Sequence, residues 1–400
     1  MVRDQINIGS DLNPALLVLA SGLRATLFPI PVITLFWKDE IGMSLADIML
    51  LQAIFGASVV LLEFPSGYIA DRLGYRRSLL TGAAFWVVGW VAYAMGTTFG
   101  AMVVAEVLLG IGLAFTSGAD SALLFVSLQA VNGVARYRYW EGRVRAAAQT
   151  SEAFSSGVGG WLYSVAPRLP LWLQAPVALA GLGAVAAMRE VPLAASGERL
   201  AHLARAWHIV RHALVHEARL RSAMALSVAL GMTTYVAVWL IQPWMQRRGI
   251  PAAWFGPLWA AAHLWLAAVS LMCARVAEAF GVTRTLLGCA IVGGMSYLAL
   301  AFISSPYAVV FYLGFMMVRG LQGPLLASVL QADAPPEDRA SVLSLNALLF
   351  RLAAVIVLPP IGVLADLLGL EPVLGMLGVL SIAAGLAAWV AFARAHANSV

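Results

Sequence analysis

Three arginines and four carboxylates stand where ionised side chains are costly. Arg24, Arg319 and Arg351 fall near the middle of long apolar runs, and Glu63, Glu106, Asp120 and Glu152 fall inside such runs. An arginine at the centre of a membrane helix costs roughly 2.5–3.5 kcal/mol on insertion scales, so such groups face a bundle interior or a wet cavity and pair with one another. Two chemistries suit them. A carboxylate takes up and releases a proton, and an arginine stays charged and offers a forked site to a carboxylate or phosphate. The structural alternative is ion pairing that only ties helices together. Glu63-Phe64-Pro65 reads as structural, because proline near a helix end kinks it. His208, His212 and His216 recur at i, i+4 and i+8, and adjacent pairs have the reach to bind a metal. No carboxylate or cysteine completes that site, so a solvated polar face and no metal are expected. His263 reads as a packed histidine. The chain has no Gly-x-x-x-x-Gly-Lys-Ser/Thr loop and no hydrolytic or redox constellation, so neither an enzyme nor an ATP-driven machine is expected.

The elements that must hold these charges follow from composition. Of 400 residues 61% are hydrophobic and 11% are charged, against about 25% charged in soluble domains. That excludes a soluble fold and predicts an all-α polytopic membrane protein. The net charge of +5 is spread over short loops and is no nucleic-acid footprint. Cys273 and Cys289 lie in apolar segments and read as reduced packing residues. The first residues lack the basic start and cleavage site of a signal peptide. A span needs roughly 20 apolar residues, and twelve fit: 14–37, 46–69, 78–96, 101–128, 143–165, 171–188, 223–245, 254–273, 285–303, 308–330, 340–364 and 372–393. The arginines of loops 72–77, 136–145 and 189–221 share one side of that count, which places both termini in the cytoplasm. The polar interruption between spans six and seven divides the chain into 1–190, a linker 191–221, and 222–400. Within the linker Leu200, Leu203, Trp207, Val210 and Leu214 predict an amphipathic helix along the membrane surface.

Between spans two and three runs Gly67-Tyr68-Ile69-Ala70-Asp71-Arg72-Leu73-Gly74-Tyr75-Arg76-Arg77. Its charges hold it at a membrane face, and Gly67 and Gly74 allow close approach of two helices around a tight turn. The stretch resembles the Gly-x-Leu-Ala-Asp-Arg-x-Gly-Arg-Arg signature of the major facilitator superfamily. Gly67, Ala70, Asp71, Arg72, Gly74 and Arg76 match, while Tyr75 replaces a basic residue. Ala70-Asp71-Arg72-Leu73-Gly74 also lines up with Ala277-Glu278-Ala279-Phe280-Gly281, as a diverged repeat would. Gly362-Val363-Leu364-Ala365-Asp366-Leu367-Leu368-Gly369 fits the same core on the other side of the membrane without the arginines. Arg319-Gly320-Leu321-Gln322-Gly323 in span ten resembles the family's Arg-x-x-Gln-Gly pattern, normally found in span four. Glu106 takes the arginine's place there.

The resemblance implies twelve transmembrane helices in two pseudo-symmetric six-helix bundles that alternate access to a midplane site. It implies that Asp71 and Arg72 help gate the inner side. Spans one and four both line the cavity in this family, which pairs Asp120 with Arg24 and faces Glu106 towards Arg319. Glu152 precedes Ser155-Ser156-Gly157-Val158-Gly159-Gly160, which is similar to the antiporter Gly-Pro-x-x-Gly-Gly stretch without its proline. The function implied is proton-coupled export of a small organic molecule, with Arg24, Glu106, Asp120, Glu152, Arg319, Gln322 and Arg351 at the substrate or proton site. It needs no cofactor beyond a proton gradient and is expected in a monomer of the inner cell membrane. The alternatives are proton-coupled uptake of an anionic metabolite, a lipid flippase of the same fold, and a non-transporting scaffold.

Overall fold

Helices account for every expected span. The computed structural model describes residues 12–191, 210–336 and 338–397, without the side chains of Phe64, Tyr68, Asp71 and Ala397. Among the described residues there are helices and turns and no strand. Among the described residues eleven stretches are long and apolar enough to cross a membrane. The twelfth expected span, 143–165, lies in the helix Tyr137–Val165 but does not join them, because Arg138, Glu141, Arg143, Arg145 and Glu152 load its first half with charge. Its 29 residues still reach about 43 Å at 1.5 Å per residue, the thickness of a bilayer with its headgroups.

The chain divides into two compact units. The first takes residues up to Met43, Leu50 onwards through span six, and Pro251–Ala260; the second takes Ser44–Met49, the described chain from 210 to Ile250, and Ala261 onwards. In the first unit span three packs on spans four and six, and span one on spans five and six. In the second, span nine packs on ten and twelve, and span seven on eleven and twelve. These pairings correspond with six added to each number, which is the repeat expressed as packing; span seven also packs closely on span ten, where span one touches span four less. Lipid tails are as apolar as leucine, so helices in a membrane associate through close backbone approach at small residues. Gly82 and Gly112 meet in the first unit and Gly294 and Gly378 in the second, each with the other's carbonyl where its Cβ would stand.

Long helices are joined by single-residue turns at Gly74 (φ +106°, ψ 148°), Gly281 (φ +79°, ψ 149°) and Gly369 (φ +91°, ψ 161°). Only glycine enters that region without strain. Each glycine N–H bonds the carbonyl four residues back, at Ala70, Ala277 and Ala365. The Ala-Asp/Glu-x-x-Gly core shared by the three stretches is therefore turn chemistry, common to both sides of the membrane.

The predicted linker helix falls largely on residues 192–209, outside the described residues. Its described end packs on protein. Ala213 is buried, and Val210 and Leu214 pack on the core of the second unit beside Leu220 and Ala223.

Candidate functional site

Span one is interrupted. Its first helix, Asn13–Ala25, ends at Thr26 in extended backbone (ψ 101°). Pro29 and Pro31 follow and supply no N–H to continue it. An unpaired backbone group in hydrocarbon costs several kcal/mol, so the freed groups need partners. Gln174 of span six donates to the Thr26 carbonyl at 2.6 Å and accepts from the Phe28 N–H at 3.2 Å. Ser155 of span five accepts from the Leu27 N–H at 2.9 Å. Both side chains are fully buried. A Cβ on Gly159 would overlap the Phe28 carbonyl, so the glycine of the antiporter-like stretch makes room for unwound backbone.

Span four is interrupted too. The helix Phe99–Thr116 stops at Ser117, Gly118 turns left-handed (φ +79°), and a new helix Ala119–Ala130 starts. Asp120 stands in its first turn. The two breaks bring Arg24, at the end of one half-helix, to Asp120, at the start of another. Arg24 Nη2 meets Asp120 Oδ2 at 2.8 Å, with side-chain exposures of 31% and 24%. Asp120 Oδ1 also accepts from the Ser121 N–H. The pair lines a cavity of about 40 Å³ with Ser21, Trp86, Thr116 and Gly181, room for roughly two to three waters. The indole N–H of Trp86 is buried and meets no acceptor among the described residues.

Glu106 finds its partners within its own unit. It is 7% exposed, accepts from Gln52 Nε2 at 3.1 Å and accepts from the Tyr93 hydroxyl. Both partners belong to the first unit. The aromatic rings of Trp37 and Trp90 pack around Tyr93, which closes the carboxylate off on that side. Glu152 is half-buried on Tyr137–Val165, and its carbonyl accepts from Ser155. In the second unit Arg319 is exposed on Tyr312–Asp333, and Arg351 is half-buried on Arg339–Leu368. The Gln322 Oε1 atom is buried and meets no donor among the described residues.

The signature loop is built around a residue the motif does not contain. Glu190, just past span six, accepts from the N–H groups of Arg76 and Arg77 at 3.1 Å each, capping the helix Tyr75–Met95. A Cβ on Gly74 would overlap its carboxylate. Arg76 also donates its guanidinium to the Ala186 carbonyl at 2.8 Å. Gly67 and Arg72 are exposed, and the Asp71 side chain lies outside the described residues. A lone acid beside Arg189 on an arginine-rich face was the only sequence signal for Glu190. Asn13 was likewise unforeseen. Fully buried, it exchanges two hydrogen bonds with the backbone of Arg189 and donates to Ser127.

The third copy of the core performs the same task in the second unit. Asp366 accepts from the N–H groups of Leu45 (3.0 Å) and Ala46 (2.8 Å), capping the helix Leu45–Leu73. A Cβ on Gly362 would overlap the Leu45 carbonyl. Of the histidine stripe, His212 and His216 bound a short π turn, and His208 lies outside the described residues.

The family model described as Major Facilitator Superfamily matches residues 15–358. No curated protein matches the chain by sequence. Several solved structures share its fold. A point mutant of the nucleoside transporter NupG superposes with a TM-score of 0.81 at 13% identity, covering 95% of this chain and all of that one. A POT family transporter in complex with 5-aminolevulinic acid gives 0.76 at 13%, covering 97% of each. A bacterial homolog of the human lysosomal transporter Spinster, inward-facing and unoccupied, gives 0.69 at 15%, covering 99% and 95%.

Proposed function

Because the chain belongs to the major facilitator superfamily and is thus a secondary membrane transporter, we propose that it moves a small organic molecule by alternating access, with Arg24 and Asp120 coupling that movement to protons. The observation that carries this reading is the 2.8 Å ion pair lining a cavity between two broken helices. Broken helices near the midplane are where transporters of several folds place substrate and coupling ions. Deprotonated Asp120 holds Arg24. Protonation of Asp120 dissolves the pair and leaves Arg24 as an unneutralised charge, so proton binding changes what the cavity will accept.

The sign of the substrate follows from which partner it replaces. A cation or hydrogen-bond donor takes Arg24's place on Asp120 and is expelled when Asp120 is protonated, which is antiport and export. An anion takes Asp120's place on Arg24 and enters with the proton, which is symport and uptake. The loop signature supports export. The fifth-span glycines no longer add to it, since Gly159 serves the break in span one. The second reading, an anionic substrate, draws on Arg24, which stays charged and offers a forked site to a carboxylate or phosphate. In both, the protein works as a monomer in the inner cell membrane with its termini and the 72–77 loop in the cytoplasm, needing no cofactor.

Everted vesicles carrying a pH dye test this. Cationic and anionic compounds are added in turn to wild-type and Asp120→Asn vesicles. Substrate-triggered proton movement is expected in wild type and absent in the variant. Proton movement that survives in Asp120→Asn removes this pair from coupling and returns the role to Glu106 or Glu152.

A further inference from the structure

Spans eight, nine and ten enclose a groove of about 420 Å³ within the second unit. One wall is a stripe of span eight at helical spacing: Trp265, Val269, Met272, Val276 and Phe280. The facing wall is a stripe of span nine, Arg284, Gly288 and Val292. Arg284 is the only charged group lining it, and it sits in the first turn of Val282–Phe302 at the end where spans eight and nine join. Glu278 lies two residues past Val276, about 200° round the helix, and so points off this face. From Phe280 to Trp265 the groove runs fifteen residues, about 22 Å, and one leaflet of hydrocarbon is about 15 Å deep. Trp265 closes the deep end, its ring held by an N–H bond to the Leu313 carbonyl at 3.1 Å. The groove opens outward, with Trp265, Met272 and Phe280 exposed by 42%, 51% and 63%. At Gly288 a Cβ would meet nothing within 4 Å, so the hollow is deepest there.

We propose that this groove holds one acyl chain of an anionic phospholipid, with the phosphate on Arg284. An apolar slot of about 22 Å matches one leaflet's hydrocarbon plus its headgroup region and fits a chain beneath its phosphate. A guanidinium at its mouth fits a phosphate in forked geometry. The exposed charges at this end are Arg275, Glu278 and Arg284, a net positive set that repels a choline or ethanolamine headgroup and attracts a net-negative one. The lipid wedges spans eight and nine on the side of the membrane that carries the 72–77 loop.

Native mass spectrometry of the full chain from nanodiscs containing equal phosphatidylglycerol and phosphatidylcholine tests the proposal. Wild type retains phosphatidylglycerol in preference to phosphatidylcholine. Arg284→Ala loses that preference by about fivefold or more and keeps an unselected lipid, as expected of a lost phosphate contact. Gly288→Trp fills the hollow and retains neither. Thermal unfolding in detergent, which leaves both variants near wild type, separates loss of lipid from loss of fold. If Gly288→Trp does not fold, Arg284→Ala decides alone. Equal retention of the two lipids by wild type, or unchanged preference in Arg284→Ala, overturns the proposal. So does a wild-type dimer that Gly288→Trp dissociates, which assigns the groove to a second copy.

Discussion

Spans one and four of the first half are interrupted, whereas their counterparts in the second half run on. Ala218–Arg247 is one helix of 30 residues and Tyr312–Asp333 one of 22, although Pro243 and Pro324 lie inside them. A single proline removes one N–H and strands one carbonyl, which a helix tolerates with a kink. Span one has two prolines within three residues, and Gln174 and Ser155 stand ready for the groups they free. Charge placement differs in the same way. In the first half Arg24 and Asp120 meet mid-span beside a cavity. In the second, Asp333 pairs with His396 at 2.9 Å and Arg219 at 3.4 Å at helix ends, with 8% of its side chain exposed. In the proposed function the first arrangement opens and closes with one proton; the second staples spans seven, ten and twelve. Similar packing thus supports two different placements of charge.

That contrast breaks most visibly in flux. Asp120→Asn and Arg24→Ala are each expected to cut proton-driven transport about tenfold or more, while Asp333→Asn leaves it within about twofold, measured in proteoliposomes. Equal losses at the two sites would erase the distinction. Arg24→Ala and Asp120→Ala should each lower thermal stability by about 1–3 kcal/mol by stranding a charge, with part recovered in the double variant. Strictly additive losses would mean that the contact contributes nothing.

The next largest effect is at the break itself. Gln174→Leu leaves the Thr26 carbonyl and the Phe28 N–H unpaired, and about 2–3 kcal/mol of stability should go, read by denaturation in detergent. In the unbroken half, Tyr297→Phe removes one bond to the Thr233 carbonyl and should cost about 0.5–1.5 kcal/mol. A reversed order would show that the interruption is not held by Gln174.

The matched turns sharpen the comparison further. Gly74→Ala and Gly281→Ala share a backbone strain of about 1–3 kcal/mol. Gly74→Ala should also dislodge Glu190, since the Gly281 position faces open space and the Gly74 position does not. Gly74→Ala is expected to melt lower and to be partly rescued by Glu190→Ala. The smallest effect is at the cap made by the third copy of the core. Asp366→Ala should cost about 0.5–2 kcal/mol, the worth of a helix cap, and melting behaviour unchanged from wild type would deny Asp366 that role.

By itself the sequence determined the membrane class, because 61% hydrophobic residues leave no soluble fold open. It set the helix-to-helix turns, because Ala-Asp/Glu-x-x-Gly encodes a carbonyl acceptor and a glycine that no other residue replaces. Each of Arg24 and Asp120 was legible as needing a partner, since it is too costly alone in hydrocarbon, and the family resemblance, which lines the cavity with spans one and four, paired them. The charged first half of span five was legible too, and explains why that helix is the least apolar of the set. What only the tertiary structure decided are partners whose need arises after the helices pack. Glu106 took Gln52 and Tyr93 as partners, because a hydroxyl or an amide satisfies a buried carboxylate and sequence spacing does not rank the candidates. Gln174 has a purpose only once span one unwinds beside it, 146 residues away. Glu190 caps a helix more than 110 residues earlier, and a cap across that distance leaves no local pattern, since its geometry exists only when spans three and six lie side by side.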